Sequence, residues 1–266
     1  MISIIGIPFD EASSFLRGPA EAPSKIREAY NSDSTNYFSE RGIDLKNSAN
    51  WLDAGDLIFD KKENPLRVIE TSIHNLLAQD HRVLTLGGDH SITYPIVRAF
   101  AKKYGRLNIL HLDAHADLYD SFEGNNYSHA CPFARIMEED LAGRLVQVGI
   151  RTLSKHQREQ AARFGVEVIE MKDWNTTMQF QFEGPTYLSL DMDAIDPAFA
   201  PGVSHYEPGG FSSREVITII QKLKGNLVGA DLVEFNPTRD ASGITAMLAA
   251  KLFKELLDRL VRSDNE

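Results

Sequence analysis

The chain has 266 residues, with 38 Asp+Glu against 28 Lys+Arg, a formal net charge of -10, eight His and one Cys. An acidic surface repels phosphate backbones, which excludes a nucleic-acid partner, and a single cysteine builds neither a disulfide framework nor a thiolate zinc site. No apolar run approaches the roughly 18 residues of a membrane span, and Met1–Gly6 lacks a basic segment ahead of its apolar run, so a cytoplasmic protein with Cys131 free and reduced is expected.

Short apolar runs recur at Ile2–Ile7, Arg82–Leu86, Leu107–Leu112, Leu145–Ile150, Val166–Ile169, Thr186–Leu190 and Asn226–Leu232. Consecutive apolar positions of this length predict strands buried on both faces. Helical spacing predicts helices at Pro65–Gln79, where Leu66, Ile69, Ile73, Leu76 and Leu77 form one stripe, and at Ser91–Tyr104, stopped by Gly105. Pro95 falls in the first turn of the latter, where a missing N–H costs little. Ser212 and Glu215 form a capping box that opens a helix to Leu223, and Ile244–Val261 is the closing helix. No linker or repeat divides the chain. Strand and helix in alternation predict one α/β domain, a three-layer α/β/α sandwich around a mostly parallel sheet. Such sheets bind ligands outside the carboxyl ends of their strands.

Four of those ends carry groups able to hold a cation. They are Asp89 and His90, Asp113, His115 and Asp117, Asp191 and Asp193, and Glu234. Asp113 and His115 are two apart and share a face of extended backbone. Asp117 reaches the same point once the chain turns. Asp191 and Asp193 repeat the two-residue spacing. That many carboxylates in one crevice is strongly unfavourable without positive charge. Two divalent metals about 3.5–4 Å apart, bridged by carboxylates, supply it and lower the pKa of a shared water towards neutrality. Oxygen and imidazole donors without thiolate suit Mn²⁺, with Ni²⁺, Co²⁺ or Fe²⁺ as alternatives. Asp89, Asp196 and Asp240 read instead as caps or turn formers.

At these motifs the sequence resembles the ureohydrolase (arginase/agmatinase) family. The matching stretches are Gly87–Ser91, Asp113–Asp117 and Ser189–Gly202, flanked by Gly6–Asp10, Ser14–Pro19 and Gly149–Arg151. Within that family, Glu123–Ala130, Pro201–Gly210 and Val233–Asp240 are similar to plant-type arginases. The resemblance implies one Mn²⁺ held by His90, Asp113, Asp117 and Asp191, and a second held by His115, Asp113, Asp191 and Asp193. It implies that Glu234 grips a substrate guanidinium, as a forked carboxylate pair can, that His129 shuttles protons, and that Asn125, Asn126 and Ser128 bind the substrate tail. It also implies a homo-oligomer, trimeric or hexameric. Two departures matter. Gly202-Val203-Ser204-His205 replaces a Thr-rich segment and makes His205 a candidate for touching substrate or Glu234. Thr152, Leu153 and Ser154 stand where animal arginases place acids for an α-amino group.

The function expected from these residues is hydrolysis of a cationic guanidino compound. A hydroxide attacks the guanidinium carbon, Asp193 takes its proton and passes it to the leaving amine, and urea departs from ornithine or putrescine. L-arginine and agmatine both remain open as substrates. The alternatives are another ureohydrolase specificity (guanidinobutyrase, guanidine hydrolase or formiminoglutamase), a dinuclear phosphoesterase, which the lack of a basic phosphate patch disfavours, and a non-catalytic metal-binding structural subunit.

Overall fold

Strands with consecutive apolar residues need cover on both faces, and helices on either side of a single sheet provide it. The computed structural model describes residues 1–46 and 50–262. The strands are β1 (Ile2–Gly6), β2 (Trp51–Asp56), β3 (Arg82–Leu86), β4 (Leu107–Leu112), β5 (Ala142–Ile150), β6 (Glu167–Glu170), β7 (Gln181–Asp191) and β8 (Lys224–Val233). They form one eight-stranded sheet in the order β2-β1-β3-β8-β7-β4-β5-β6, and each neighbouring pair is parallel.

The helices are α1 (Ala22–Tyr30), α2 (Pro65–Leu77), α3 (Thr93–Tyr104), α4 (Pro132–Glu138), α5 (Lys155–Phe164), α6 (Ser213–Lys222) and α7 (Ile244–Arg262). They divide the core in two. Ile26 of α1, Ile220 of α6 and Leu256 of α7 pack with Leu84, Leu110, Leu188 and Ala230 on one face of the sheet. Ile73 of α2, Phe100 of α3 and Phe133 of α4 pack with Val83, Ile109, Tyr187 and Val228 on the other. The expected three layers are present.

Local chemistry sets the helix ends. Asn64 accepts N–H bonds from Leu66 and Arg67 at 2.9 and 3.3 Å, with Pro65 at the first helical position of α2. Ser212 and Glu215 form the capping box of α6, and Ser154 and Gln157 form a second one at α5.

Of the helices, α2, α3, α6 and α7 match the predicted stripes, with a 3-10 turn at His90–Ile92 leading into α3. The spacing did not single out α1, α4 and α5. Helix α5 is polar and buries only Gln157, Gln160 and Ala161, and α4 is seven residues long, so neither shows a long stripe. Strand β2 escaped prediction because it is an exposed edge. The expected strand Val166–Ile169 is β6, also an edge and only partly buried, not covered on both faces.

Candidate metal centre

In an all-parallel sheet every carboxyl end lies on one rim. The motif residues follow β3, β8, β7 and β4, which are the four adjacent central strands. Their last leucines align across the sheet: Leu86 pairs with Leu232, Leu232 with Leu190, and Leu190 with Leu112. The segments beyond them leave the sheet side by side.

Two groups of donors result. In one, His90 Nδ1 lies 3.2 Å from Asp113 Oδ2, 3.1 Å from Asp117 Oδ2 and 3.1 Å from Asp191 Oδ2. In the other, His115 Nδ1 lies 3.4 Å from Asp113 Oδ1 and 3.1 Å from Asp193 Oδ2. Asp113 therefore turns one oxygen to each group. Donor atoms about 2.1 Å from a common ion and at right angles stand about 3 Å apart, which is the spacing in both groups. All six expected donors converge. Asp191 joins the first group through Oδ2, while its Oδ1 accepts the N–H of Asp193 at 2.7 Å.

The hydrogen bonds around His90 call for positive charge between these oxygens. Ser189 Oγ donates to Asp231 Oδ1 at 2.7 Å, so the His90 Nε2 that lies 3.0 Å from Ser189 Oγ must carry the hydrogen. In the neutral ring, Nδ1 is then a lone pair. It is buried, makes no hydrogen bond, and faces three carboxylate oxygens. Acceptors crowded in this way are compatible only with a cation or a proton among them. The electrostatics of the cluster agree. Burial next to the charges of Asp193 and Asp113 pushes the Asp191 carboxyl well above its ordinary range. Burial opposes charge on His90 and His115, yet the surrounding carboxylates hold both rings well above the usual imidazole value. Asp117 and Glu234 have φ of 49° and 62°. Such left-handed backbone costs a non-glycine residue about 1–2 kcal/mol and tends to persist where a site requires it.

Beneath the donors lies a polar row inside the sheet. Thr85, Asp231, Ser189, His111 and Gln147 sit on β3, β8, β7, β4 and β5 in direct register, and all are buried. Asp231 Oδ2 accepts from Thr93 Oγ1 at 2.8 Å and Tyr187 OH at 2.9 Å. Gln147 Nε2 donates to the Ala116 carbonyl at 2.6 Å and lies 3.0 Å from His111 Nδ1. That makes Nδ1 the acceptor, so His111 Nε2–H donates to Asp113 Oδ2 at 2.8 Å. Burial keeps His111 neutral, lowering its pKa. This row orients His90 and Asp113 from behind. It was not anticipated, although the sequence carries its signal: a polar residue flanked by apolar ones, one place before the end of each run, in Leu84-Thr85-Leu86, Leu110-His111-Leu112, Leu188-Ser189-Leu190 and Ala230-Asp231-Leu232.

Above the donors is a cavity of about 220 Å³. Glu234 and His129, both expected at the site, line it together. Glu234 Oε1 accepts the backbone N–H of His90 at 2.9 Å and His129 Nδ1–H at 2.9 Å. Burial favours the neutral acid, but His129 prevails and lowers the Glu234 pKa. Against burial, the Glu234 charge pushes the His129 pKa up to about 9. The Ser14 backbone N–H donates to His129 Nε2 at 3.1 Å, which favours the neutral ring. In either state Nδ1–H points to Glu234. His205 also lines the cavity, with its ring 5.6 Å from that of His115 and 5.5 Å from that of His129.

Asn125, Asn126 and Ser128 are left out of the cavity wall. Asn125 Oδ1 accepts the Tyr127 N–H in a local turn, and Asn126 is exposed with its carbonyl bonded to Arg135. Ser128 is buried, and its hydroxyl accepts the Ala130 N–H. Ser14, Tyr119, Thr152, Gln157 and Glu207 line the wall instead. Most come from loops distant in sequence, and spacing does not reveal such convergence. Cys131 is a buried free thiol, 3.7 Å from the Asn125 carbonyl and pushed up to about 12 by burial. Asp89, Asp196 and Asp240 accept loop or helix N–H groups, from Ala12 and Ser91, from Ala198 and Gly209, and from Ala246 respectively.

The chain is similar to known proteins along almost its whole length. The family model described as "Arginase family" matches residues 1–258. "Arginase 1, mitochondrial" from Arabidopsis thaliana is 48% identical over 276 residues, covering 97% of this chain and 80% of that protein. A guanidinobutyrase from Pseudomonas aeruginosa is 35% identical over 271 residues, covering 96% and 85%. The solved structure of arginase from Medicago truncatula superposes with a TM-score of 0.92 at 45% identity, covering 97% of this chain and 87% of that one. These relatives overturn one expectation. The Arabidopsis protein and the rice and Medicago arginases carry "mitochondrial" in their names, which points to an organelle and not to the cytoplasm. Charge and cysteine count could not make that distinction, because a lone reduced thiol suits any reducing compartment.

Proposed function

Because the chain belongs to the arginase family, we propose that it hydrolyses L-arginine to urea and ornithine in a site holding two Mn²⁺ ions. The chain is a hydrolase of guanidino C–N bonds. The observation that best supports two ions is Asp113, whose Oδ2 faces the His90 group and whose Oδ1 faces the His115 group. His90, Asp113, Asp117 and Asp191 would hold one ion, and His115, Asp113, Asp193 and the shared Asp191 the other. Mn²⁺ suits a donor set of carboxylate and imidazole without thiolate. Two divalent cations bound there would lower the pKa of a shared water and so supply a nucleophile at neutral pH.

The chain's own residues do the rest. Glu234, with Oε1 fixed by the His90 N–H, presents a carboxylate to the planar guanidinium. Asp193 lines the cavity beside Asp113 and would accept the proton of the attacking water. It hands that proton to the departing amine. His129, between Glu234 and Ser14, carries protons between the cavity and solvent. His205 lies along the path of the substrate tail. Asn125, Asn126 and Ser128, outside the wall, have no part in this reading. The expected trimer or hexamer belongs to it, is supported by the family resemblance, and is checked by light scattering.

Agmatine is the competing substrate, since Thr152, Leu153 and Ser154 supply no acid for an α-amino group. The test is urea release from Mn²⁺-loaded protein with L-arginine, agmatine and 4-guanidinobutyrate side by side. The expected result is a kcat/KM for L-arginine at least tenfold above the others. Agmatine or guanidinobutyrate in first place, or formamide in place of urea from a formimino substrate, would overturn the assignment.

A further inference from the structure

The cavity grades from a buried floor to an open mouth. At the floor, the side chains of Asp191 and Asp193 are 3% and 4% exposed. His115 is 24% exposed, and beyond it Glu207 is 35% exposed, with Oε1 3.7 Å from His115 Nε2. A guanidinium held at Glu234 leaves its aliphatic tail directed towards that mouth. Among the described residues no Lys or Arg lines the cavity, and the acids other than Glu207 belong to the donor groups or to the guanidinium site.

Glu207 is placed by its backbone, not by its carboxylate. The Arg151 guanidinium donates to the Glu207 carbonyl from Nε at 2.8 Å and from Nη2 at 2.6 Å, and also to the Asp193 carbonyl at 2.7 Å. Those bonds tie the loop after β7 to the donor segment and set the Glu207 carboxylate at the mouth, where its one close side-chain partner among the described residues is His115. His115 turns Nδ1 to Asp113 and Asp193 and therefore presents only Nε2–H to Glu207. At 3.7 Å that contact is longer than a hydrogen bond, and a carboxylate has room for several donors.

We propose that Glu207 is a specificity-determining residue that accepts an ammonium group on the substrate tail. This rests on the guanidino-hydrolase reading above and deepens it. The chain would take the place of the missing acids after Gly149-Ile150-Arg151 with a carboxylate from a different loop, approaching from the His115 side. A guanidino compound with an ammonium near the end of its tail is favoured, and one whose tail carries only a carboxylate is not.

The test compares ligands that differ by one ammonium group. L-arginine is set against 5-guanidinopentanoate for turnover, and L-ornithine against 5-aminopentanoate for calorimetric binding, on Mn²⁺-loaded wild type and Glu207→Gln. Wild type should favour the ammonium-bearing member of each pair tenfold or more. Glu207→Gln should raise KM for L-arginine at least tenfold, leave kcat within about twofold, and erase the preference in both assays. A preference that survives Glu207→Gln overturns the proposal. So does an equal loss of kcat on both guanidino substrates accompanied by lost Mn²⁺, because Glu207 would then be a support for His115. Wild type that releases urea from no guanidino compound fails the broader reading, whereas the ornithine pair still reports on Glu207.

Discussion

His129 Nδ1 lies 2.9 Å from Glu234 Oε1, so the group that would receive a guanidinium is already engaged by the imidazole that would move its protons. A substrate cation must share or displace that contact. His129→Asn should therefore leave KM unchanged or lower it, while kcat falls roughly 100-fold for want of an acid–base group. Glu234→Gln should do the reverse in its first effect and raise KM sharply. Steady-state urea release separates the two. A His129→Asn protein with wild-type kcat would remove His129 from proton transfer.

Asp113 serves both donor groups, whereas Asp117 and His115 serve one each. Asp113→Asn should empty both sites to well under one Mn²⁺ per chain. Asp117→Asn and His115→Asn should each retain about one, the count expected when each ion has its own shell. Chelation of wild type should lower Tm and reloading should restore it, since an ion bound at 1,000 times its Kd stabilises by about 4 kcal/mol. Elemental analysis after gel filtration reads the stoichiometry. One full equivalent retained by Asp113→Asn would mean that the donor groups are independent.

The buried row beneath the centre gives a prediction away from the donors. Ser189 connects His90 Nε2 to Asp231 Oδ1. Ser189→Ala leaves both without that partner in a dry interior, at a cost of about 2 kcal/mol, and metal affinity should fall roughly 10- to 100-fold. Urea denaturation of the chelated protein measures the first effect, and Mn²⁺ titration calorimetry the second. Unchanged affinity would confine the row to a structural role.

Glu40 provides a pH test far from the site. Arg214 Nη1 and Nη2 reach its two oxygens at 2.7 and 2.8 Å, and against slight burial they, with Gln221 and Lys251, push its pKa down from 4.5 to about 2. A depressed acid stabilises the fold fully above its unfolded value and loses that contribution as pH falls through the folded one. The pair is partly exposed, so it is worth at most about 1 kcal/mol. Glu40→Gln should be less stable than wild type at pH 7 by that amount, with the gap closing from pH 4.5 towards pH 2. Denaturation midpoints at matched salt give the comparison.

The strand-end motifs were legible because backbone periodicity alone brings Asp113 and His115, or Asp191 and Asp193, to one face, and because parallel strands share a rim. The central position of the four motif-bearing strands was not legible, since it depends on β7 and β8 inserting between β3 and β4. Edge strand β2 and polar helix α5 lack the apolar pattern on which periodicity depends. The make-up of the cavity wall was not legible for a related reason. Asn125 and Asn126 are near His129 in sequence, but their turn closes on itself and faces solvent, while Glu207 and Gln157 arrive from elsewhere in the chain.

Gly88 holds the entrance loop against the centre. A Cβ there would lie 1.7 Å from the Phe9 carbonyl oxygen, a backbone atom that also accepts the Asp89 N–H at 2.9 Å. Asp89 in turn holds the N–H of Ala12 at 3.0 Å, and two residues on, Ser14 contacts His129. Gly88→Ala must therefore separate the loops after β1 and β3, shifting Asp89 and the adjacent His90. The expected cost is ~3 kcal/mol, at the upper end for overpacking, with weakened Mn²⁺ binding. Gly42, at φ 87° with open space around its Cβ position, is the control. Gly42→Ala strains only the backbone, by about 1 kcal/mol, and should leave metal content intact. Equal Tm and equal Mn²⁺ content for the two variants would show that the Phe9 contact yields without disturbing the site.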